Sequence, residues 1–183
     1  LGTTAIAAQA MTNILENLNG MAAIGVGVGL MTIVGQCMGA DRKDEAVYYI
    51  KKLSVIAEVA IIVSCLLVFA LTRLVTVLGG MEPASAKMCF HMVTWITLVK
   101  PIVWTLAFVP AYGLRAAGDV KFSMITSCLV MWLCRFCLCV ILIRFLGFGP
   151  MGVWIGMFAD WTVRAVIFTW RFHSRRWLRY KVI

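Results

Sequence analysis

The chain has 183 residues, 62% of them hydrophobic and only 14% charged, with a mean hydropathy of +0.94. Soluble domains sit near 45–50% apolar and about 25% charged, so this composition excludes an ordinary water-soluble fold and reads as an integral membrane protein. The formal charge of +9 does not indicate nucleic acid, because the basic residues bracket hydrophobic runs rather than interleave with aromatics on one patch.

The chain does not open on Met, and its first residues already read as a helix entry. With no charged n-region or small-residue cleavage site, a signal peptide is not expected; a piece of a longer protein, lacking its N-terminal part, is. The first predicted helix covers about 4–38 and carries one formal charge, Glu16; from Asn17 to Ala40 the run is uncharged and long enough to span a bilayer. At about 100° per residue, Gln9, Asn13, Glu16, Asn17 and Gly20 fall on one face, with Gly27 further along it. That pattern is a lipid-embedded helix with a polar stripe turned away from lipid. An acid within a span costs roughly 2.5–3.5 kcal/mol on insertion scales, so Glu16 is a functional candidate; the alternative is a carboxylate kept wet near the interface.

A charged turn follows, in which Asp41 is expected to cap a second helix over about 42–79, with Asp44 and Glu45 at the positive end of its dipole. The third helix, about 84–114, contains Pro101 and Pro110, each of which removes a backbone donor and is expected to bend or open it. Lys100, just before the first proline, reads either as a cavity-lining group or as a buried tie to a carboxylate or a freed carbonyl; His91 reads as incidental. Asp119 is placed to cap a fourth helix over about 120–146, in which Arg135 lies too deep to snorkel and is expected to face protein. The fifth helix, about 151–172, holds Asp160 and Arg164 at i and i+4, spaced to pair within the membrane, and a basic tail over 174–183 follows.

Glu58, Lys100, Arg135 and the Asp160/Arg164 pair interrupt otherwise apolar runs. About 14 strongly apolar residues at roughly −0.3 to −0.6 kcal/mol each outweigh one central charge at about +3, so all five helices are predicted spans. If the first helix runs from outside to inside, eleven basic residues (Arg42, Lys43, Lys51, Lys52, Arg115, Lys121, Arg171, Arg175, Arg176, Arg179, Lys181) collect on the inner side, against Arg73, Lys87 and Arg144 outside. This bias predicts a cytoplasmic C-terminus in a multi-pass cell-membrane protein, with Trp177 and Tyr180 as a surface-lying anchor on anionic lipid.

Other patterns reduce to packing. Gly25-Val-Gly27-Val-Gly29 lacks the strand and spacing of a dinucleotide loop and reads as small residues that let helices approach. Most of the seven cysteines lie inside apolar runs, which suits small reduced residues rather than a disulfide framework. Cys134, Cys137 and Cys139 mimic metal spacing, but 139 leaves the shared face and no His or acid lies near, so no metal site or cofactor is expected. No nucleophile triad, zinc motif or spaced acid pair suggests an enzyme.

The order of motifs is familiar. LGTTAIAAQAMTNILENLNGMAAIGVGVGLMTIVGQCMGADRKDEA, then GLRAAGDVKF, then WLCRFCLCVILIRFLGFGPMGVWIGMFADWTVRAVIFTWRF together resemble the multidrug and toxic compound extrusion transporters across essentially the whole chain. The resemblance implies an all-α, polytopic membrane bundle in which these five helices are half of a two-lobe transporter, an incomplete C-terminal lobe corresponding to spans eight to twelve. It also implies efflux of amphipathic or cationic small molecules by alternating access, coupled to Na⁺ or H⁺, with the N-terminal lobe of the same protein and the bilayer as partners. The equivalent of span ten, where the family usually carries a coupling acid, here bears Lys100 and no acid; Glu16 lies on the equivalent of span eight, where some members also carry one.

On this reading Glu16 with Gln9, Asn13 and Asn17 forms the polar wall of the lobe cavity, and its protonation or pairing with Lys100 differs between transport states. Two alternatives stay open. A flippase for a lipid or lipid-linked precursor would turn Lys100, Arg135 and Arg164 into one cavity; drug export would tie Arg164 to Asp160 and leave Arg135 packed elsewhere. A non-transporting scaffold would fill the polar stripe with neighbouring side chains.

Overall fold

Long uninterrupted apolar periodicity gives long helices. A computed structural model of the chain describes residues 2–145 and 147–179, the last of these by its backbone. Tyr180 and Lys181 of the expected tail lie outside the described residues. Five helices are long and apolar enough to cross a membrane: α1 (Thr3–Gly39), α2 (Lys43–Leu78), α3 (Pro83–Ala116), α4 (Val120–Arg144) and α5 (Met151–His173). A short 3₁₀ turn, Arg176–Arg179, follows. With 37 residues, α1 runs about 55 Å at 1.5 Å per residue, well beyond the roughly 30 Å hydrocarbon layer.

The exposed surface confirms lipid as the solvent of this protein. Val55, Val59, Val63, Leu66, Leu67 and Leu74 on α2, and Met124, Leu129, Trp132, Leu133 and Phe136 on α4, are all more than half exposed, or nearly so. A water-soluble protein does not present apolar bands of this extent, whereas hydrocarbon solvates them at no cost.

The helices pack as a triangle of α1, α2 and α3, with α5 laid against α3 and α4 outermost, held chiefly by α5. Thr12 and Asn19, buried on α1, reach sulfur across the contacts: Thr12 Oγ1 donates to Cys89 Sγ at 3.3 Å, and Asn19 Nδ2 to Cys65 Sγ at 3.0 Å. α3 continues as one helix past both Pro101 and Pro110. At one end of the bundle the Ser85 hydroxyl donates to the Thr4 carbonyl, tying the starts of α3 and α1. At the other, Arg171 Nε donates to Asp119 Oδ2 at 2.7 Å, and Lys51 and Arg175 border one small cavity. The basic ends of α2, α3, α4 and α5 therefore meet on one side.

Several local expectations need revising. Asp41 is not the cap of α2; it sits in the left-handed region (φ 56°), which aspartate tolerates, and its carboxylate pairs with Lys43 at 3.1 Å while Arg42 occupies the cap position. Asp119 does occupy the cap position of α4, but its carboxylate is spent on Arg171 and makes no cap bond. Gly118, at φ 91°, makes the preceding turn that only glycine adopts freely. Trp177 is no surface anchor: it is fully buried, stacked on Phe172 at 5.8 Å, and its indole N–H donates to the Phe172 carbonyl.

The largest departure is in α4. It is not one uniform helix but an α-helix over Val120–Val130, a π-helical segment over Met131–Cys137, and an α-helix again over Leu138–Arg144. The wider turn coincides with the closest approach of α5, where a Cβ on Gly156 would collide with Cys139 Sγ and come within 3.3 Å of the Cys134 carbonyl. π-turns of this kind are rare and concentrate at functional sites.

Of the glycine run on α1, Gly27 alone makes a close contact: a Cβ there would lie 2.6 Å from the Tyr112 ring, while Gly25 and Gly29 face open space. Helix propensity favours alanine over glycine by about 1 kcal/mol, but overpacking costs about 1–3 kcal/mol against a rigid ring. Gly27→Ala should therefore lower the SDS-unfolding midpoint in mixed micelles, and Gly29→Ala should leave it unchanged or raise it.

Candidate functional site

The polar stripe of α1 divides. Its upper part, Gln9, turns to α5: the Trp154 indole N–H donates to Gln9 Oε1 at 3.1 Å, and Gln9 Nε2 lies 3.5 Å from Asn13 Oδ1. Asn13 itself is exposed. Its lower part, Glu16, Asn17 and Gly20, opens onto a concave face shared with α3, α4 and α5.

Lys100 meets this lower part. Its ammonium is fully buried and donates to Glu16 Oε1 at 2.6 Å and to the Glu16 backbone carbonyl at 3.0 Å. The ring centroids of Trp104 and Trp161 lie 5.6 and 6.0 Å away, so the remaining face of the cation rests over aromatic electron density. Gly20 supplies the room; a Cβ there would come within 3.4 Å of Nζ. A charge in hydrocarbon must have its hydrogen bonds met by protein, and here both acceptors come from Glu16 of α1, with aromatic rings of α3 and α5 beside them.

Beside the pair lies a cavity of about 260 Å³, lined by Glu16, Asn17, Gly20, Ile24, Trp104, Phe108, Tyr112, Arg135, Met157 and Trp161. The Glu16 side chain keeps 16% of its surface exposed, so the carboxylate is reachable from the cavity while its partner is not. Arg135 enters from the π-helical segment, exposed and with no hydrogen bond or ion pair among the described residues. The four aromatic walls were not singled out from the sequence. Trp104 and Phe108 share a face at i and i+4, the signal that could have found them.

Asp160 and Arg164 pair along α5 at 2.9 Å, both buried, as their spacing suggests. Arg164 also donates to the Ser127 carbonyl of α4 at 3.0 Å and lies over the Phe108 ring, so the pair joins α5 to α4 behind the cavity wall. Lys100 and Arg164 are each matched to an acid, which leaves Arg135 as the unmatched cation of the three among the described residues. His91 accepts from the exposed Trp95 indole and lies apart from the cavity. Among the described residues no group of three His, Cys, Asp or Glu gathers to hold a metal; Cys128 and Cys137 are exposed and Cys139 Sγ faces the Val153 carbonyl.

Breaking a buried pair by removing one partner costs about 3–5 kcal/mol, because the other charge stays behind unpaired. Lys100→Met should destabilise the protein by about that amount in SDS-unfolding titrations. The double variant Glu16→Gln/Lys100→Met should recover most of the loss; a double variant as unstable as the sum of both singles would show that the two groups are not coupled.

Known proteins give the context. The family model described as MatE matches residues 1–141. Over 173 residues the chain is 25% identical to a protein of Thermotoga maritima named probable multidrug resistance protein NorM, a match covering 92% of this chain and 36% of the relative. It is 39% identical over 67 residues to the uncharacterized transporter YisQ of Bacillus subtilis, covering 37% of this chain and 15% of the relative. It is 36% identical over 61 residues to a probable multidrug resistance protein NorM of Rhodopseudomonas palustris, covering 33% and 13%. The chain thus spans about a third of the length of the Thermotoga maritima relative, and less of the other two. The family match takes in well over half of the chain, and with five apolar helices it places this multi-pass membrane protein in the MatE family of transporters, which are not enzymes.

Proposed function

We propose that this chain is part of a secondary exporter of amphipathic small molecules, driven by an inward Na⁺ or H⁺ gradient through alternating access. The observation that carries the reading is the Glu16–Lys100 pair on the wall of an aromatic cavity. A carboxylate open to the cavity on one side and bonded to a buried ammonium on the other has two mutually exclusive partners. When a proton or Na⁺ takes the carboxylate, the ammonium loses its counter-ion and keeps only the Glu16 backbone carbonyl as an acceptor on α1. A gradient does work on a protein only where the ion binds two conformations unequally, and this pair offers such a difference.

The partial match to relatives supports reading the chain as the C-terminal lobe, with the rest of the transporter elsewhere in the same protein. The gathering of the basic helix ends supports a cytoplasmic C-terminus in the cell membrane. Arg164 is held by Asp160, as the export reading requires, while Arg135 lines the cavity rather than packing elsewhere. With Lys100 also paired, the cavity lacks the three free cations that the flippase reading calls for. In the full-length protein, Glu16→Gln should abolish the dependence of dye efflux on the ion gradient at unchanged membrane levels. Efflux that keeps its cation dependence in this variant would remove Glu16 from the coupling step.

A further inference from the structure

The charge balance of the cavity goes one step further, and it rests on the export reading of the same site. Glu16 from α1 is neutralised by Lys100 from α3. Asp160 and Arg164 from α5 neutralise each other behind Phe108. Arg135 from α4 is exposed on the cavity and has no counter-ion among the described residues. Among the described residues the site in this conformation therefore holds one uncompensated positive charge, and its one carboxylate is paired with Lys100. An organic cation would have to displace Lys100 from Glu16 before it found an anion to answer it. An organic anion meets a guanidinium at once, whose planar fork of five donors matches a carboxylate.

The walls give the rest of the ligand. Trp104, Phe108, Tyr112 and Trp161 line the cavity together with Asn17, so an aromatic body with a polar edge suits it. A volume of about 260 Å³ lies just under the range for drug-sized ligands, roughly 300–1,000 Å³, and suits one or two fused rings. The π-helical turn delivers Arg135 to the cavity from the outermost helix of the bundle. We propose that Arg135 is the specificity-determining residue of this site and that its cargo class is small aromatic carboxylates.

Three ligands with the same ring and different charge test this: 1-naphthoate, 1-naphthamide and 1-naphthylmethylammonium, measured by equilibrium dialysis against the full-length protein in phosphatidylcholine nanodiscs. Naphthoate should bind at least about 10-fold more tightly than the amide, with the ammonium weakest, as expected for a charge-assisted bond away from bulk water. Arg135→Gln should bring naphthoate to within about twofold of the amide, and Arg135→Lys should keep part of the preference. Equal binding of all three ligands, tightest binding of the ammonium, or a preference untouched by Arg135→Gln would each overturn the assignment. The wild-type series alone decides if that variant does not fold. Loss of naphthoate binding in phosphatidylglycerol nanodiscs would give Arg135 to a lipid headgroup and also overturn it. Efflux from cells reads the underlying function separately. Export of ethidium without naphthoate binding would sink the cargo class and leave export standing. Protein-independent efflux of both would sink export, whatever the dialysis gave.

Discussion

One ion pair organises the centre of this protein. Lys100 is fully buried, and its ammonium finds a carboxylate oxygen, a backbone carbonyl and two indole faces within reach, all from α1, α3 and α5. Hydrocarbon offers nothing to solvate a charge, so the helices that supply these groups are fixed in register with one another. A buried pair of this kind contributes little net stability compared with apolar side chains of the same size. Its effect is selectivity: α1 and α3 have one packing that leaves no charge bare. Gly20 lies against the same ammonium, where a Cβ would already be in van der Waals contact with it at 3.4 Å.

The rest of the bundle follows the packing rules of helices in lipid. Without a hydrophobic drive between helices, association depends on close fit and polar contacts. Gly27 admits the Tyr112 ring, Gly113 admits Ile50, and Gly156 admits the π-helical turn of α4. Thr12 and Asn19 reach the thiols of α3 and α2, so two cysteines act as hydrogen-bonding spacers in the core. At the basic end of the bundle, Arg171 ties the loop before α4 to the end of α5 and lies 4.5 Å from the Phe122 ring centroid.

α4 differs from the other helices in kind. It is attached mainly through α5, its surface is apolar and lipid-facing, and its helical ladder is widened in mid-span. The Arg164 guanidinium bonds the Ser127 carbonyl just before the widened segment, while Gly156 receives the backbone at it. The segment that carries Arg135 packs on α5 and contributes this residue to the cavity, whose other walls come from α1, α3 and α5.

The sequence by itself determined the class and the number of spans, because burial in lipid demands long apolar runs whatever the tertiary packing. It also exposed the Asp160–Arg164 pair, since residues four apart on a helix are neighbours before any folding is known. Glu16 and Lys100 were each visible as costly charges. Tertiary structure alone decided that they meet, because they lie 84 positions apart and no periodicity links two helices. The same holds for the split of the polar stripe between Trp154 and the cavity, and for the burial of Trp177. The π-turn left no proline or glycine in MWLCRFC to announce it, and it coincides with the approach of a neighbouring backbone at Gly156. Chemical identity along one helix is local information. Which face meets which neighbour is settled only when all five helices compete for the same contacts.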